Sequence, residues 1–298
     1  MTLRNGPPWR IRAARSLLRR MPRGRYHLLS TLAPSKGRFI ARLADEVGGA
    51  QFDCDLADLL SREVCFTGVY EPPVTRVFRH HAAAGATIAD VGANWGYFTL
   101  LAAAAVGPAG SVLALEPDPR QFEALARNVA LNGYTHVACV QAAASDTDGR
   151  VTLTGFADEA ANRGVSRIGP AGETDGRRFD VRAATLDGLT AASPRVDLVK
   201  IDVEGAEDLV LAGMRAGLSA HRYRAVILEL HPALLRARGI DPEACLHTLA
   251  DLGYRGWTID LSPAAYRRAL RPGTSIDDVL LPLDRWRGAA WPHFLWLC

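Results

Sequence analysis

The segment Asp90-Val91-Gly92-Ala93-Asn94-Trp95-Gly96 places an acid two residues before one glycine and six before another. Glycines at 92 and 96 let a chain turn sharply, so that a bound cofactor can lie against the end of a strand. The acid discriminates between cofactors. Dinucleotide sites open with GxGxxG and hold a pyrophosphate at a helix N-terminus, which a carboxylate would repel. A sulfonium and an ammonium, the charges of S-adenosylmethionine, are stabilised by the same carboxylate. Glu116 follows 26 residues after Asp90, where an acid can accept hydrogen bonds from two ribose hydroxyls. Main chain near Ala142 is the candidate adenine contact, because no acid follows until Asp146.

Two later clusters could move a proton. Asp202-Val203-Glu204-Gly205-Ala206-Glu207 offers three carboxylates, and Glu229-Leu230-His231 adds a carboxylate and an imidazole. A hydroxyl acceptor is a very weak acid, and a positioned base contributes typically about 10² to 10⁴-fold. His231 is the leading candidate for that base, with Asp202, Glu204 and Glu229 as the other catalytic candidates and Asp202 also facing the cofactor. By fold-level analogy only, Asp202 and Glu229 occupy strand ends where metal-dependent catechol-type O-methyltransferases carry magnesium ligands, and oxygen ligands would suit that ion. Leu230 cannot ligate and no further acid flanks Glu229, so a metal-free site is favoured over a magnesium site.

These residues need a scaffold that brings strand ends together. From Ala86 onward short apolar strands alternate with amphipathic helices, which predicts a parallel sheet covered on both faces. Strands are expected at Thr87 to Val91, Ser111 to Leu115, Val137 to Ala142, Asp197 to Ile201, Ala225 to Leu230, Tyr254 to Asp260 and His293 to Leu297. Asp118 and Asp241 are expected helix N-caps, each followed by proline at the first helical position. Residues 145–184 interrupt the alternation as an excursion from the sheet, a candidate acceptor lid that includes Asn162-Arg163-Gly164-Val165-Ser166. Two units are expected: a basic helical extension over 1–60 and a catalytic domain over 61–298.

The runs DVGANWGYFT, LEPDPRQFEALARNVALNG, ATLDGL, DLVKIDVEGAE and VILEL, in this order between Gly68 and Leu230, resemble the FkbM family of S-adenosylmethionine-dependent methyltransferases. The resemblance implies a class I methyltransferase fold, Rossmann-like, with a mostly parallel seven-stranded sheet, one reversed edge strand and helices on both faces. It also implies O-methylation of hydroxyls on sugars, glycolipids or secondary metabolites. Carried over by position, Asp90, Gly92, Ala93, Asn94 and Gly96 would hold the methionine end of the cofactor and Glu116 its ribose. Gly68-Val69-Tyr70-Glu71-Pro72 resembles the family's Gly-x-Tyr-Glu-Pro segment, with Glu71 a candidate substrate contact. Asp187 of the Thr-Leu-Asp triplet reads as a helix N-cap, and Lys200 as a flanking residue that orients carboxylates.

Composition excludes several alternatives. A chain of 298 residues with 48% hydrophobic and 22% charged residues can bury a sizeable core. No run approaches the roughly 18 apolar residues of a membrane span. The net charge of +3 conceals eleven Lys/Arg and no acid in residues 1–44, which leaves 24 bases against 32 acids elsewhere. That balance argues against a nucleic-acid partner for the main body. Ile11, Ala14, Leu17, Leu18 and Met21 repeat at helical spacing among arginines. This pattern fits a helix capping the domain better than one lying on an anionic membrane surface. Five cysteines, odd in number and without CxxC spacing, argue against a disulfide framework and fit the cytoplasm. The rivals to a hydroxyl acceptor are an amino acceptor, disfavoured because Asp202-Val203-Glu204-Gly205 stands where an Asn/Asp-Pro-Pro-aromatic motif would, a dehydrogenase, and a non-catalytic scaffold.

Overall fold

The computed structural model describes residues 7–20, 33–155, 167–168, 178–286 and 289–298. Strands β1 (Arg38–Arg42) and β2 (Gln51–Asp55) form an antiparallel hairpin near the N-terminus. The main sheet begins with β3 (Thr87–Val91), β4 (Ser111–Leu115) and β5 (Val137–Val140). A separate sheet follows, made of β6 (Ala143–Ala144), β7 (Gly149–Thr154), β8 (Arg167–Ile168) and β9 (Arg178–Ala184) in the order β6-β9-β7-β8. The chain then returns to the main sheet with β10 (Leu198–Ile201), β11 (Ala225–Glu229), β12 (Arg255–Ile259), β13 (Leu280–Pro282) and β14 (His293–Leu297).

The order β13-β12-β14-β11-β10-β3-β4-β5 is that of a class I methyltransferase sheet with one additional edge strand. The five strands from β5 to β11 run parallel to their neighbours. The chain steps outward from β3 through β4 to β5, then crosses back to β10 on the other side of β3. The reversal opens a crevice beyond the carboxyl ends of β3 and β10. Two details differ from expectation. The sheet has eight strands rather than seven, because β13 pairs with the outer edge of β12. The reversed C-terminal strand β14 is internal, inserted between β11 and β12 and antiparallel to both. There both of its edges have partners for their backbone groups, which an edge position would leave half unpaired.

The central strands β10 and β11 are buried at every residue, as apolar strands covered on both faces must be. Ile88 packs into one apolar cluster, while Ala89 and Val91 pack into the other, so alternate residues of β3 serve the two faces of the sheet. Helix Tyr97–Val106 is apolar nearly all round and has eight of its residues buried. Asp118 and Asp241 cap their helices by accepting from the amides of Arg120 and Glu243. Asp187 does not cap. Thr185 takes that place, and Asp187 instead accepts from the amides of Ala216 and Gly217 and from the Tyr223 hydroxyl.

The N-terminal region is not wholly helical and is not separate from the body. Helix Trp9–Arg20 docks through Leu18, which is fully buried, and through Arg15, which donates to the carbonyls of Cys65 and Arg42. Phe39 and Phe52 of the hairpin share an apolar cluster with Ile88 and Leu100. Trp9 and Leu17 remain exposed on the docked helix. The cysteine expectation is also corrected: Cys54 on β2 and Cys65 on helix Leu59–Thr67 are disulfide-bonded, with Cα atoms 6.0 Å apart. Packing of that helix on β2 makes a pair that sequence spacing does not announce, and it removes the cysteine argument for a reducing compartment. The stretch Asn162 to Ser166 lies outside the described residues. Among the described residues, no helix is long and apolar enough to cross a membrane.

Candidate active site at the strand ends

A cavity of about 660 Å³ lies over the crevice and is lined by Gly92, Asn94, Glu116, Ala142, Asp202, Glu204, Glu229 and His231, among others. Its floor depends on one glycine. Gly92 has φ +82°, and a Cβ there would lie 1.7 Å from the carbonyl oxygen of Asp202. The turn after β3 therefore rests directly on the end of β10, and any side chain would separate them. Glu116, at the end of β4, ties two loops together. Its Oε2 accepts from the Asn94 amide at 2.8 Å and its Oε1 from the Asp118 amide at 2.9 Å. Burial pushes the Glu116 carboxyl up to about 8 against the opposing pull of those amides.

Three residues expected at the cofactor lie behind the cavity wall instead. Asp90 is 1% exposed, accepts from the Thr99 hydroxyl at 2.6 Å and is the register partner of Lys200 on β10. Its charge reaches the cavity only through that buried neighbourhood. Ala93 is buried, and Gly96 makes a turn at φ +88° in which a Cβ would meet Leu125 at 2.7 Å. Both shape the loop from beneath. The Asn94 side chain accepts from the Trp95 amide, so it is already engaged in the turn.

On the other side of the cavity, β10, β11 and β14 converge in a charged cluster. Lys200, 2% exposed, donates to Asp202 at 2.9 Å and lies 4.6 Å from the centre of the Phe98 ring. Burial alone would raise the Asp202 carboxyl, but Lys200 and His231 hold it below the usual carboxylate range. Glu204 has φ +52°, unusual for a non-glycine residue, which directs it back over the strand end. Burial, with repulsion from Asp202 and Glu229, pushes Glu204 up to about 7 while His231 opposes the rise. His231 is 3% exposed, with Nδ1 at 2.8 Å from Glu207 Oε1 and Nε2 at 3.2 Å from Glu204 Oε2. Burial disfavours its charge, but Glu207, Glu204 and Glu229 outweigh burial and raise it to about 9. The carboxylates around His231 favour its protonated form, which sets it against the role of a free base and turns attention to Glu204 beside it.

Sequence reading did not place His293 at this site. It is the first residue of β14 and the register partner of Glu229, and its Nε2 is 2.9 Å from Glu229 Oε2 and 3.5 Å from Glu71 Oε2. The pairing of β14 with β11 creates that proximity across a long stretch of chain. Glu207 stood in the acidic run, but its role as the buried partner of His231 required the helix start to turn inward. Among the described residues, two sets of three bring potential metal-ligating atoms together: Glu71, Glu229 and His293, and Asp202, Glu229 and His231.

Comparison with known proteins adds an independent finding. A family model described as a methyltransferase FkbM domain matches residues 90–255, more than half of the chain. Methyltransferase sdnD of Sordaria araneosa is 34% identical over 157 residues, covering 43% of this chain and 60% of that protein. Methyltransferase 1 of Beauveria bassiana (strain ARSEF 2860) is 32% identical over 144 residues, covering 43% of this chain and 57% of that protein. The match thus spans less than two thirds of the length of either relative. Among solved structures, methyltransferase FkbM from Methylobacillus flagellatus KT aligns with a TM-score of 0.41 at 14% identity, covering 92% of this chain and 58% of the other. Fibrillarin from Aeropyrum pernix, solved with natively bound S-adenosyl-L-methionine, aligns with a TM-score of 0.40 at 12% identity, covering 76% and 73%.

Proposed function

The chain belongs to the FkbM methyltransferase family, and from that premise we propose that it transfers a methyl group from S-adenosylmethionine to a hydroxyl of a sugar, glycolipid or secondary metabolite. The observation that carries the reading is Glu204: a carboxyl raised to about 7 that lines the same cavity as the Gly92 turn and Glu116. A general base works best with a pKa near the operating pH, and Glu204 meets that condition where His231, raised to about 9, does not.

S-adenosylmethionine, when bound, supplies a methyl group on a positively charged sulfur. The chain's own residues do the rest. Gly92 lets the ligand approach the end of β3, Glu116 accepts the ribose hydroxyls beside the amides it already holds, and the excess of carboxylates over cations in the cavity favours a cationic ligand. The residues lining the cavity would hold the acceptor oxygen opposite the carbon–sulfur bond, so that this bond would give its electrons to sulfur as the oxygen–carbon bond forms. The hydroxyl proton passes to Glu204. His231, kept charged by Glu207, stabilises Glu204 in the ionised form that can receive it. Holding acceptor oxygen, carbon and sulfur in line is the larger part of the work, because orientation removes much of the entropic barrier.

The test is calorimetry of the folded protein with S-adenosylhomocysteine, followed by mass spectrometry of reactions with S-adenosylmethionine and panels of glycosylated and polyketide acceptors, with and without chelator. A product heavier by one methylene supports the reading, and absence of heat with the homocysteine ligand overturns it. Glu116→Ala is expected to weaken S-adenosylhomocysteine binding by about 3- to 10-fold, the worth of one hydrogen bond. Unchanged affinity in that variant would remove Glu116 from the ribose site.

A further inference from the structure

We propose that Glu71, Glu229 and His293 form a binding site for one divalent first-row transition ion, of the manganese, iron or zinc kind. The three come from distant parts of the chain. Glu71 lies in the turn before helix Pro72–His81, Glu229 ends β11, and His293 begins β14 opposite it. Their donor atoms converge: His293 Nε2 is 2.9 Å from Glu229 Oε2 and 3.5 Å from Glu71 Oε2, and the set lies within 4.8 Å. Adjacent ligands at bond lengths of about 2.1 Å stand roughly 3.0 Å apart around an octahedral ion and roughly 3.4 Å apart around a tetrahedral one. The two separations from His293 Nε2 are compatible with ligands sharing an ion, and the third, between the two carboxylates, lies within 4.8 Å.

A second observation points to the same place. Glu71 Oε2 and His293 Nε2 are both buried, and neither is satisfied by a hydrogen bond of good geometry, although Nε2 faces both carboxylates at ion-pair distance. The His293 side chain is 2% exposed, and its Nδ1 lies 3.1 Å from the Trp291 carbonyl, which accepts the Nδ1 proton and turns the Nε2 lone pair toward the two carboxylates. An outer acceptor that fixes the tautomer in this way is the usual support of a metal-binding imidazole. Glu71 itself is held at φ +40°, a conformation that a non-glycine residue adopts only where its surroundings demand it.

Charge agrees with geometry. Two carboxylates around a neutral imidazole balance a dication, and where they would otherwise favour a proton on Nε2, an ion of twice the charge takes its place. The nitrogen donor selects against magnesium, which prefers an all-oxygen shell. The alternative set around His231 is already engaged, with Lys200 on Asp202 and Glu204 facing Nε2. All three proposed ligands line the cavity beside Glu204. That the ion would face the methyl acceptor rests on the methyltransferase reading, whereas ion binding itself does not.

The experiment uses the full, tag-free chain stripped with chelator and titrated with Mn²⁺, bound ion being read by the loss of the free electron paramagnetic resonance signal. One Mn²⁺ per chain is expected. Affinity should fall at least about tenfold in Glu71→Gln and in His293→Gln, the scale of loss typical at metal sites, and should not fall in His231→Ala, which removes a positive charge 3.7 Å from Glu229. Calorimetry with S-adenosylhomocysteine on each variant reports folding and the cofactor site separately. Protein that binds that ligand but no Mn²⁺, Co²⁺ or Zn²⁺ would overturn the proposal. So would equal Mn²⁺ affinity in the Glu71→Gln and His293→Gln variants, or a loss in His231→Ala as large as theirs. Mn²⁺ binding without any binding of S-adenosylhomocysteine would sink the methyltransferase reading and leave the ion site standing.

Discussion

Glu204→Gln is expected to lower kcat by about 10² to 10⁴-fold, the contribution of a positioned base, while S-adenosylhomocysteine affinity stays within about threefold. The amide keeps the size and the left-handed backbone position of the residue but cannot accept a proton. The pH profile is the sharper readout. In the wild type, Glu204 is the base only when ionised, so kcat/KM should rise with pH through about 7. Glu204→Gln should erase that rise, and His231→Gln should shift it to higher pH, because the nearby positive charge that favours ionised Glu204 is gone. A rising limb that survives in Glu204→Gln would assign the base elsewhere in the cavity, and a kcat within a few-fold of wild type would end its catalytic role.

What could be read from the sequence was mostly local. The turn at Gly92, the acid at Glu116 and the caps at Asp118 and Asp241 are each settled within a few residues by strand endings, glycine and capping chemistry, and the structure places each of them where those rules predict. Asp202, Glu204, Glu229 and His231 were legible as a group because they close two consecutive parallel strands, whose carboxyl ends must face one crevice. What escaped depends on partners distant in sequence. A strand-end acid such as Asp90 looks exposed until the register sets Lys200 beside it and Thr99 folds back onto it. His293 acquires meaning only once β14 inserts next to β11, and no periodicity in β14 specifies which neighbours it will choose. The basic arm misled in the same way. Its charge pattern was plain, but the hairpin beneath it and the Cys54–Cys65 pair follow from packing on the body. Choosing between His231 and Glu204 needs electrostatics, since an isolated imidazole would be the better base and it is the carboxylates of Glu207, Glu204 and Glu229 that favour its charged form.

Lys200 is the place where fold and site are most tightly joined, and Lys200→Met is expected to cost about 3 to 5 kcal/mol of stability, the range for removing one partner of a buried ion pair. Methionine fills the stem's volume and can still pack on Phe98, so the loss reports the ammonium. Without it, the 1% exposed Asp90 keeps its hydrogen bonds from Thr99 but no nearby cation, and Asp202 loses the donor at 2.9 Å. Because the Asp202 side chain is 26% exposed and can recruit water, the cost should fall toward the lower end of the range. Its pH dependence has a definite sign. Burial already raises Asp90 while Lys200 opposes the rise, so the variant's Asp90 titrates higher still and the native state holds a proton that the unfolded chain releases. Stability is then lost as pH rises above about 4, the unfolded value, and the deficit relative to wild type should be smallest in acid. Urea unfolding at several pH values measures this directly. Asp90→Asn in the Lys200→Met background should restore part of the loss at neutral pH by removing the charge that has no partner, which a purely steric role for Lys200 would not allow. A single-variant cost below about 1 kcal/mol, the value of an exposed pair, would mean that the ammonium is not what holds these two strand ends together.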